Sequence, residues 1–408
     1  MSFLTMKTLH SVLGEMKEKF AHIALECEVV GLGQAPGRVL AADVVAAEQS
    51  PGFDRSCVDG YAVVSGDTFG ASESVPCFLK VLPPAQMGMA TKVSVGRGEA
   101  VYVPTGAQIP AGADAVVMVE YCEKLSQDTV AVLHACAPNT NIMYKGDDCG
   151  FGGLLAARGT RITPLHIGIM AAAGVTDVPV YIMPCCAIIS TGDEIVGLGE
   201  PLPLGCIRDV NTHMLGAELE AYGCRVTSRR IVGDSFGEIR AEICRAVCEA
   251  DIVLISGGTS VGDKDYTRAA IEAVEKDSVF AHGIALKPGK PTIVAKVGGK
   301  PVLGLPGQCV SAYIVFKMVV QPFLDSLCGI SGGLPHLTAE LTANVHSAPG
   351  KLTVLAVKLN YAGGKFYADP VHGKSGLISH LMASDGLILI GDRREGLTSG
   401  EIVDVVRL

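Results

Sequence analysis

Tryptophan is absent, and aromatic residues make up only 5% of the 408 residues. A chain so poor in flat side chains offers few stacking platforms. Charge is sparse as well: Asp, Glu, Lys and Arg total 18%, below the roughly 25% of an average soluble protein, and the formal net charge is −9. A dedicated nucleic-acid binder is thereby disfavoured, because neutralising phosphates requires clustered Lys and Arg. Long apolar runs are missing too. The longest, residues 309–324, is interrupted by Lys317 and Gln321, short of the ~20 residues a membrane span needs. Residues 1–10 lack a basic stretch leading into an apolar core, so no signal peptide is expected and the cytoplasm is the expected location. The 14 cysteines form no C-x-x-C, and the 10 histidines no H-x-x-x-H. Without finger-like spacing, the cysteines read as reduced thiols of a cytosolic protein.

Hydrophobic residues are plentiful at 49%, enough for several cores. The length predicts two to four domains, since single cores rarely outgrow about 250–300 residues. An amphipathic helix is expected over residues 4–20, with Leu9, Val12, Leu13, Met16 and Phe20 on one side. Short β-type runs separated by Gly/Pro clusters fill residues 53–137, and a helix is expected from Pro164 to Ala173. From Cys185 the pattern alternates. Continuous apolar strands (185–189, 226–232, 252–255, 291–297, 302–305) are interleaved with helices, the first capped by Asn211 and running to Ala221, then 236–249, 266–274 and 310–324. Such alternation predicts an α/β domain around a parallel sheet covered on both faces. After about residue 330 the pattern returns to β.

Ligands of open α/β sheets bind beyond the carboxyl ends of the strands. Three Gly-containing loops leave such ends: 191–194, 257–265 and 304–308. Gly257, Gly258 and Gly262 permit close backbone approach to an anion, and Thr259 and Ser260 add hydroxyl donors; a structural tight turn accounts for the glycines equally well. Asp193, Glu194, Asp234, Asp263 and Asp265 cluster at the same ends. They read either as ligands of a divalent cation such as Mg2+ or as caps and solvated loop charges, the latter suiting Asp234 and Asp265 just before helices. Lys287 and Lys290, in Lys287-Pro288-Gly289-Lys290-Pro291, are either a surface turn or a phosphate clamp.

More specific patterns accompany these. Residues 51–62, Pro-Gly-Phe-Asp-Arg-Ser-Cys-Val-Asp-Gly-Tyr-Ala, match a P-x-F-D-x-S-x-x-D-G-Y-A signature. Pro104-Thr105-Gly106-Ala107, Lys145-Gly146-Asp147-Asp148, Ser190-Thr191-Gly192-Asp193-Glu194, Ser256-Gly257-Gly258-Thr259-Ser260-Val261-Gly262, Lys287-Pro288-Gly289-Lys290-Pro291 and Gly304-Leu305-Pro306-Gly307 follow in order. Taken together, and across essentially the whole chain, the sequence resembles the molybdopterin molybdenumtransferases, the MoeA/gephyrin E-domain family.

The resemblance implies a multidomain α/β plus β chain. A split helical/linker domain (1–52 and 141–180) carries an inserted β-rich module (53–140). An α/β domain of pterin-adenylyltransferase type (181–328) and a C-terminal β-barrel (329–408) follow. It further implies a homodimer whose cleft lies between the α/β domain of one subunit and the inserted module of the other. The implied reaction takes adenylylated molybdopterin and molybdate, inserts molybdenum and releases AMP with divalent-metal help; a pterin adenylyltransferase and cofactor-accepting enzymes are the implied partners. Matched motif by motif, the implied catalytic positions are Asp59, Thr105, Asp148, Glu194, Asp234, Asp265 and Lys287, with Pro306 shaping the third loop. Three positions depart from the pattern: Gln308-Cys309 replaces Asn-Pro, Gly283 stands where a cation is common with His282 beside it, and the basic run before Gly146 is reduced to Lys145. A tungstate-preferring paralogue, a pterin adenylyltransferase and a non-catalytic scaffold are the competing readings.

Overall fold

The computed structural model describes residues 6–259, 266–330, 336–371, 373 and 376–408. They fall into two compact units, Met1–Glu28 with Tyr181–Leu408, and Val29–Val180.

The first unit is organised by a six-stranded sheet in the order Arg225–Val232, Cys185–Thr191, Ile252–Ser256, Lys300–Leu305, Ile293–Val297, Val279–His282. All five residues of Ile252–Ser256 are buried, as its unbroken apolar run demands of a strand covered on both faces. Against one face pack Ile239, Ile243 and Ala246 of the Phe236–Glu249 helix, with Ala270 and Ile271 of Tyr266–Val274. The expectation of a parallel sheet is corrected at one edge. The first four strands are parallel, but Ile293–Val297 runs antiparallel to both its neighbours, so that Val279–His282 beyond it points the same way as the first four. Only Gly298 and Gly299, at φ +57° and +79°, separate Val297 from Lys300. Two residues can close a hairpin, whereas a parallel crossover needs a dozen or more.

Two helix starts differ from expectation for local reasons. The first helix spans Leu9–Lys19, because the Thr8 side chain accepts from the Ser11 amide (3.2 Å) and fixes the N-terminus there. It buries Val12 and Met16, and the Phe20 that follows packs edge-on to Phe323. At the Asn211–Tyr222 helix the capping role belongs to Asp209, not Asn211: Asp209 accepts from both the amide and the hydroxyl of Thr212. Asn211 is instead the first helical residue, which leaves its side chain for other work. The apolar run Cys309–Leu327 is by length and composition able to cross a membrane. Here it packs as a core helix, with Val315, Phe316, Val319 and Val320 buried and Lys317 paired to Glu218 at 2.8 Å.

The carboxyl-terminal part closes a five-stranded barrel. Leu352–Ala362, Lys365–Pro370, His336–Leu341, Ile402–Arg407 and Gly386–Ile390 bond in that order, and the last returns to the first. Leu341, Val357, Ala368, Ile388 and Val405 fill its centre.

The second unit holds another six-stranded sheet, ordered Ala115–Met118, Gly60–Val63, Glu99–Val103, Cys77–Leu82, Thr129–Val132, Cys122–Lys124. The segments flanking it join in short ladders, Arg55–Ser56 with Ile142–Met143 and Val44–Val45 with Leu154–Ala156. The Pro164–Ala172 helix, closed at its start by reciprocal bonds between Thr163 and His166, packs beside them. The part expected to be helical is thus one helix plus β ladders.

Cys309 occupies the first position of its helix, and Gln308 before it is extended (φ −70°, ψ 123°). Both conformations accept a proline, whose missing N–H is not needed there. Cys309→Pro is expected to stabilise the protein by about 0.4–1 kcal/mol through the unfolded state. The urea midpoint checks it, and a fall in that midpoint would mean that the Cys309 amide or thiol holds the loop.

Candidate active site

Three adjacent strand ends create the site. Ser190 pairs with Ser256, and Ser256 with Leu305, so the strands terminate in one row and their loops emerge side by side. Between them lies a cleft of about 800 Å³ lined by Thr191, Glu194, Asp234, Gly257, Gly258 and Pro306, among others. Glycine is required at two of these points. Gly257 has φ +108°, and a Cβ there would stand 2.4 Å from the Thr191 carbonyl oxygen; Gly258 has φ +57°, with its Cβ position 2.5 Å from Thr267 Oγ1. Any larger residue would push the second loop off the first and expose the cleft floor.

Several polar groups are spent on holding these loops. The Gly257 amide donates to the Leu305 carbonyl (3.1 Å), Thr267 Oγ1 to the Gly257 carbonyl (3.2 Å) and Thr259 Oγ1 to the Leu305 carbonyl (3.4 Å). Thr259, almost wholly buried, therefore braces the loop with its hydroxyl. Asp193 Oδ1 accepts from the Asp234 amide (2.9 Å), tying the first loop to the start of the neighbouring helix. Glu194 and Asp234 line the cleft itself. Other groups on its wall are buried yet unsatisfied among the described residues: Ser190 Oγ, Thr191 Oγ1 and Asn211 Oδ1. Burying a polar atom without a partner costs roughly 1–3 kcal/mol, and ordered water, an ion or a bound ligand relieves it. Sequence reasoning passed over these three, since a Ser, a Thr and an Asn at strand and helix ends look like ordinary caps.

The two lysines of the 287–291 turn diverge. Lys287 pairs through its short strand with Thr353 of the barrel and lines a second cleft, of about 750 Å³, that also meets His346 and His380. Lys290 is exposed, while Pro291 reaches the first cleft. His282, next to Gly283, does not replace a missing cation. Burial and then the neighbouring Arg268 guanidinium (3.2 Å) push its pKa below the ordinary value, so the ring is neutral at pH 7. Ser260, Gly262, Asp263 and Asp265 lie outside the described residues.

Asp59, Thr105 and Asp148 belong to the second unit. Gly60 pairs with Val103, which sets Asp59 and Thr105, just beyond those positions, side by side. Asp59 Oδ1 accepts from the Thr105 amide (2.7 Å) and hydroxyl (2.9 Å). Asp148 takes a longer bond from Ser50 Oγ (3.4 Å). The amide and then the hydroxyl of Thr105 hold the Asp59 carboxyl below the usual carboxylate range, although it is fully exposed. A depressed folded pKa means that this interaction is present above the unfolded-state pKa and lost as pH falls through the folded one. Thr105→Ala removes one donor and keeps the other. The Asp59 pKa is expected to rise part of the way to the ordinary value in a carbon-13 NMR titration; an unmoved titration would show that the hydroxyl does not contribute.

Comparison with known proteins matches the MoeA N-terminal region (domain I and II) over residues 8–174, a probable molybdopterin binding domain over 187–326 and the MoeA C-terminal region (domain IV) over 338–408. A putative molybdopterin biosynthesis protein of Methanocaldococcus jannaschii is 31% identical over 416 residues, covering 100% of this chain and 98% of that protein. The molybdopterin molybdenumtransferase of Haemophilus influenzae is 31% identical over 404 residues, covering 98% of each. Among solved structures, the molybdopterin biosynthesis MoeA protein of Pyrococcus horikoshii superimposes with a TM-score of 0.83 at 30% identity, over 99% of this chain and 100% of that one. Full-length similarity of this kind, with the Gly-containing loops of three strand ends meeting in one cleft, places the chain in the MoeA family of molybdopterin molybdenumtransferases.

Proposed function

We propose that the protein inserts molybdenum from molybdate into adenylylated molybdopterin and releases AMP, a late step of molybdenum cofactor biosynthesis. The observation that carries this is the register-aligned row of strand ends, which sets the glycine backbone of Gly257 and Gly258 beside the carboxylates of Glu194 and Asp234 in a single cleft. The Gly257 amide is already given to Leu305, but the Gly258 backbone lines the cleft and suits a phosphoanhydride. Two carboxylates fit Mg2+, which commonly takes one or two protein carboxylates and completes its shell with water and substrate phosphates. Among the described residues no three His, Cys, Asp or Glu side chains converge, so their share of such a site is Glu194 and Asp234. A cation there would neutralise charge developing on the anhydride. Lys287 opens on the second cleft, where its ammonium with His346 and His380 suits an anionic group, phosphate or molybdate.

The finer assignments belong to the same reading. The chain divides into split linker, inserted β module, α/β and barrel domains and works as a cytoplasmic homodimer, with Asp59, Thr105 and Asp148 of one copy completing the cleft of the other. Exposed Leu198, Leu202, Leu204 and Ile207 on the segment leading to the cleft support burial against another chain.

Glu194→Gln removes a charge from an exposed loop, so it is expected to leave folding intact and to lower the insertion rate at least a hundredfold. Wild-type insertion by this variant, measured as molybdenum bound to released pterin, would take the first loop out of the chemistry. Asp59→Asn and Glu194→Gln are each expected to be inactive, and mixed dimers of the two to regain part of the activity because one cleft is then intact. Confirmed subunit exchange without recovery would rule out the shared site.

A further inference from the structure

Asn211 is 6% exposed and lines the first cleft. Its Nδ2 donates to Ser256 Oγ (2.6 Å) and to the Gly307 carbonyl (2.8 Å). Because a carbonyl oxygen only accepts, the Gly307 contact fixes which end of the amide is nitrogen. Both Nδ2 hydrogens are consumed, and the side chain is held between the second and third loops. Its Oδ1 is left buried with no partner among the described residues, an acceptor that cannot turn away. Phosphate and molybdate oxygens at neutral pH are acceptors themselves and cannot satisfy it. An N–H or O–H group can, as can a cation bound in the cleft.

Resting on the reading of the cleft as an adenylyl site, we infer that Asn211 is a specificity-determining residue whose Oδ1 accepts a hydrogen bond from a donor of the adenylyl moiety, its 6-amino group or a ribose hydroxyl. The neighbouring orphan hydroxyls of Ser190 and Thr191 can donate as well as accept, so they tolerate either partner; Asn211 does not. A nucleotide that lacks the matching donor leaves Oδ1 desolvated and unpaired, and discrimination comes from that penalty rather than from extra attraction.

The test is calorimetric titration of the full-length protein with AMP, purine riboside 5′-monophosphate, 2′-deoxy-AMP and 3′-deoxy-AMP. One of the three analogues is expected to bind the wild type roughly tenfold more weakly than AMP, and which one identifies the donor. In Asn211→Ala that analogue is expected to bind within about twofold of AMP, the melting temperature reporting whether the variant is folded. AMP binding with a flat analogue series in the wild type overturns the assignment without any variant. So does a tenfold difference that persists in folded Asn211→Ala. If Asn211→Ala does not fold, Asn211→Ser, whose hydroxyl can both donate and accept, is expected to bind that analogue within about twofold of AMP, and a tenfold difference that persists there overturns the assignment. Failure of AMP to bind the wild type at millimolar concentration overturns the adenylyl reading itself.

Discussion

The close approach of Gly257 to the Thr191 carbonyl is the constraint on which the site depends. With no room for a Cβ between them, the second loop lies directly on the first, and the Leu305 carbonyl receives the Gly257 amide from the other side. Three loops from three strands are thereby brought into backbone contact, and the Thr259, Thr267 and Asn211 side chains brace them further. The cleft walls can then be built from short side chains, which is consistent with a chain that has no Trp and few aromatic residues. Rigidity comes from the sheet below, whose central strand is buried on both faces.

That foundation was largely legible in the sequence. Unbroken apolar runs between Gly-rich loops imply buried strands, and the Phe236–Glu249 and Tyr266–Val274 helices span the residues that the sequence pattern predicts. The antiparallel edge was harder to see. Residues 291–297 and 302–305 are as apolar as their parallel neighbours, and only the brevity of the Gly298-Gly299 link distinguishes a hairpin from a crossover. Asn211 illustrates a different limit. Local sequence makes it a good helix cap, but Asp209 two residues earlier competes for that role and wins, because its carboxylate reaches both donors of Thr212. Which of two capping residues is released to face a ligand is decided by tertiary contacts to Ser256 and Gly307, some 45 and 96 residues away.

Lys287 and Lys290 carry the same lesson in charge. Three residues apart on a turn, they look like one clamp. The structure pairs the short strand at Lys287 with the barrel, so Lys287 lines the second cleft while Lys290 lines neither cleft. A cationic pair in sequence is thus two separate charges in space, and the carboxylates of the first cleft face no lysine of that turn.

The barrel contributes to the first cleft as well. Gly376, on the segment preceding its last two long strands, lines that cleft, and Cys309 Sγ lies 3.6 Å from the Gly376 carbonyl. Cys309 begins the helix that follows the third loop, so the segment holding Gly376 touches the cleft loops next to the point where Pro306 and Gly307 turn. An α/β domain by itself would leave this rim open to water. With the barrel seated against it, part of the cleft wall is supplied from outside the α/β domain, which gives a physical reason for that fold to be elaborated at its carboxyl end. Small, polar or glycine residues at the contact keep the rim thin, and the thiol at residue 309 offers the Gly376 carbonyl a weak donor that a proline would not.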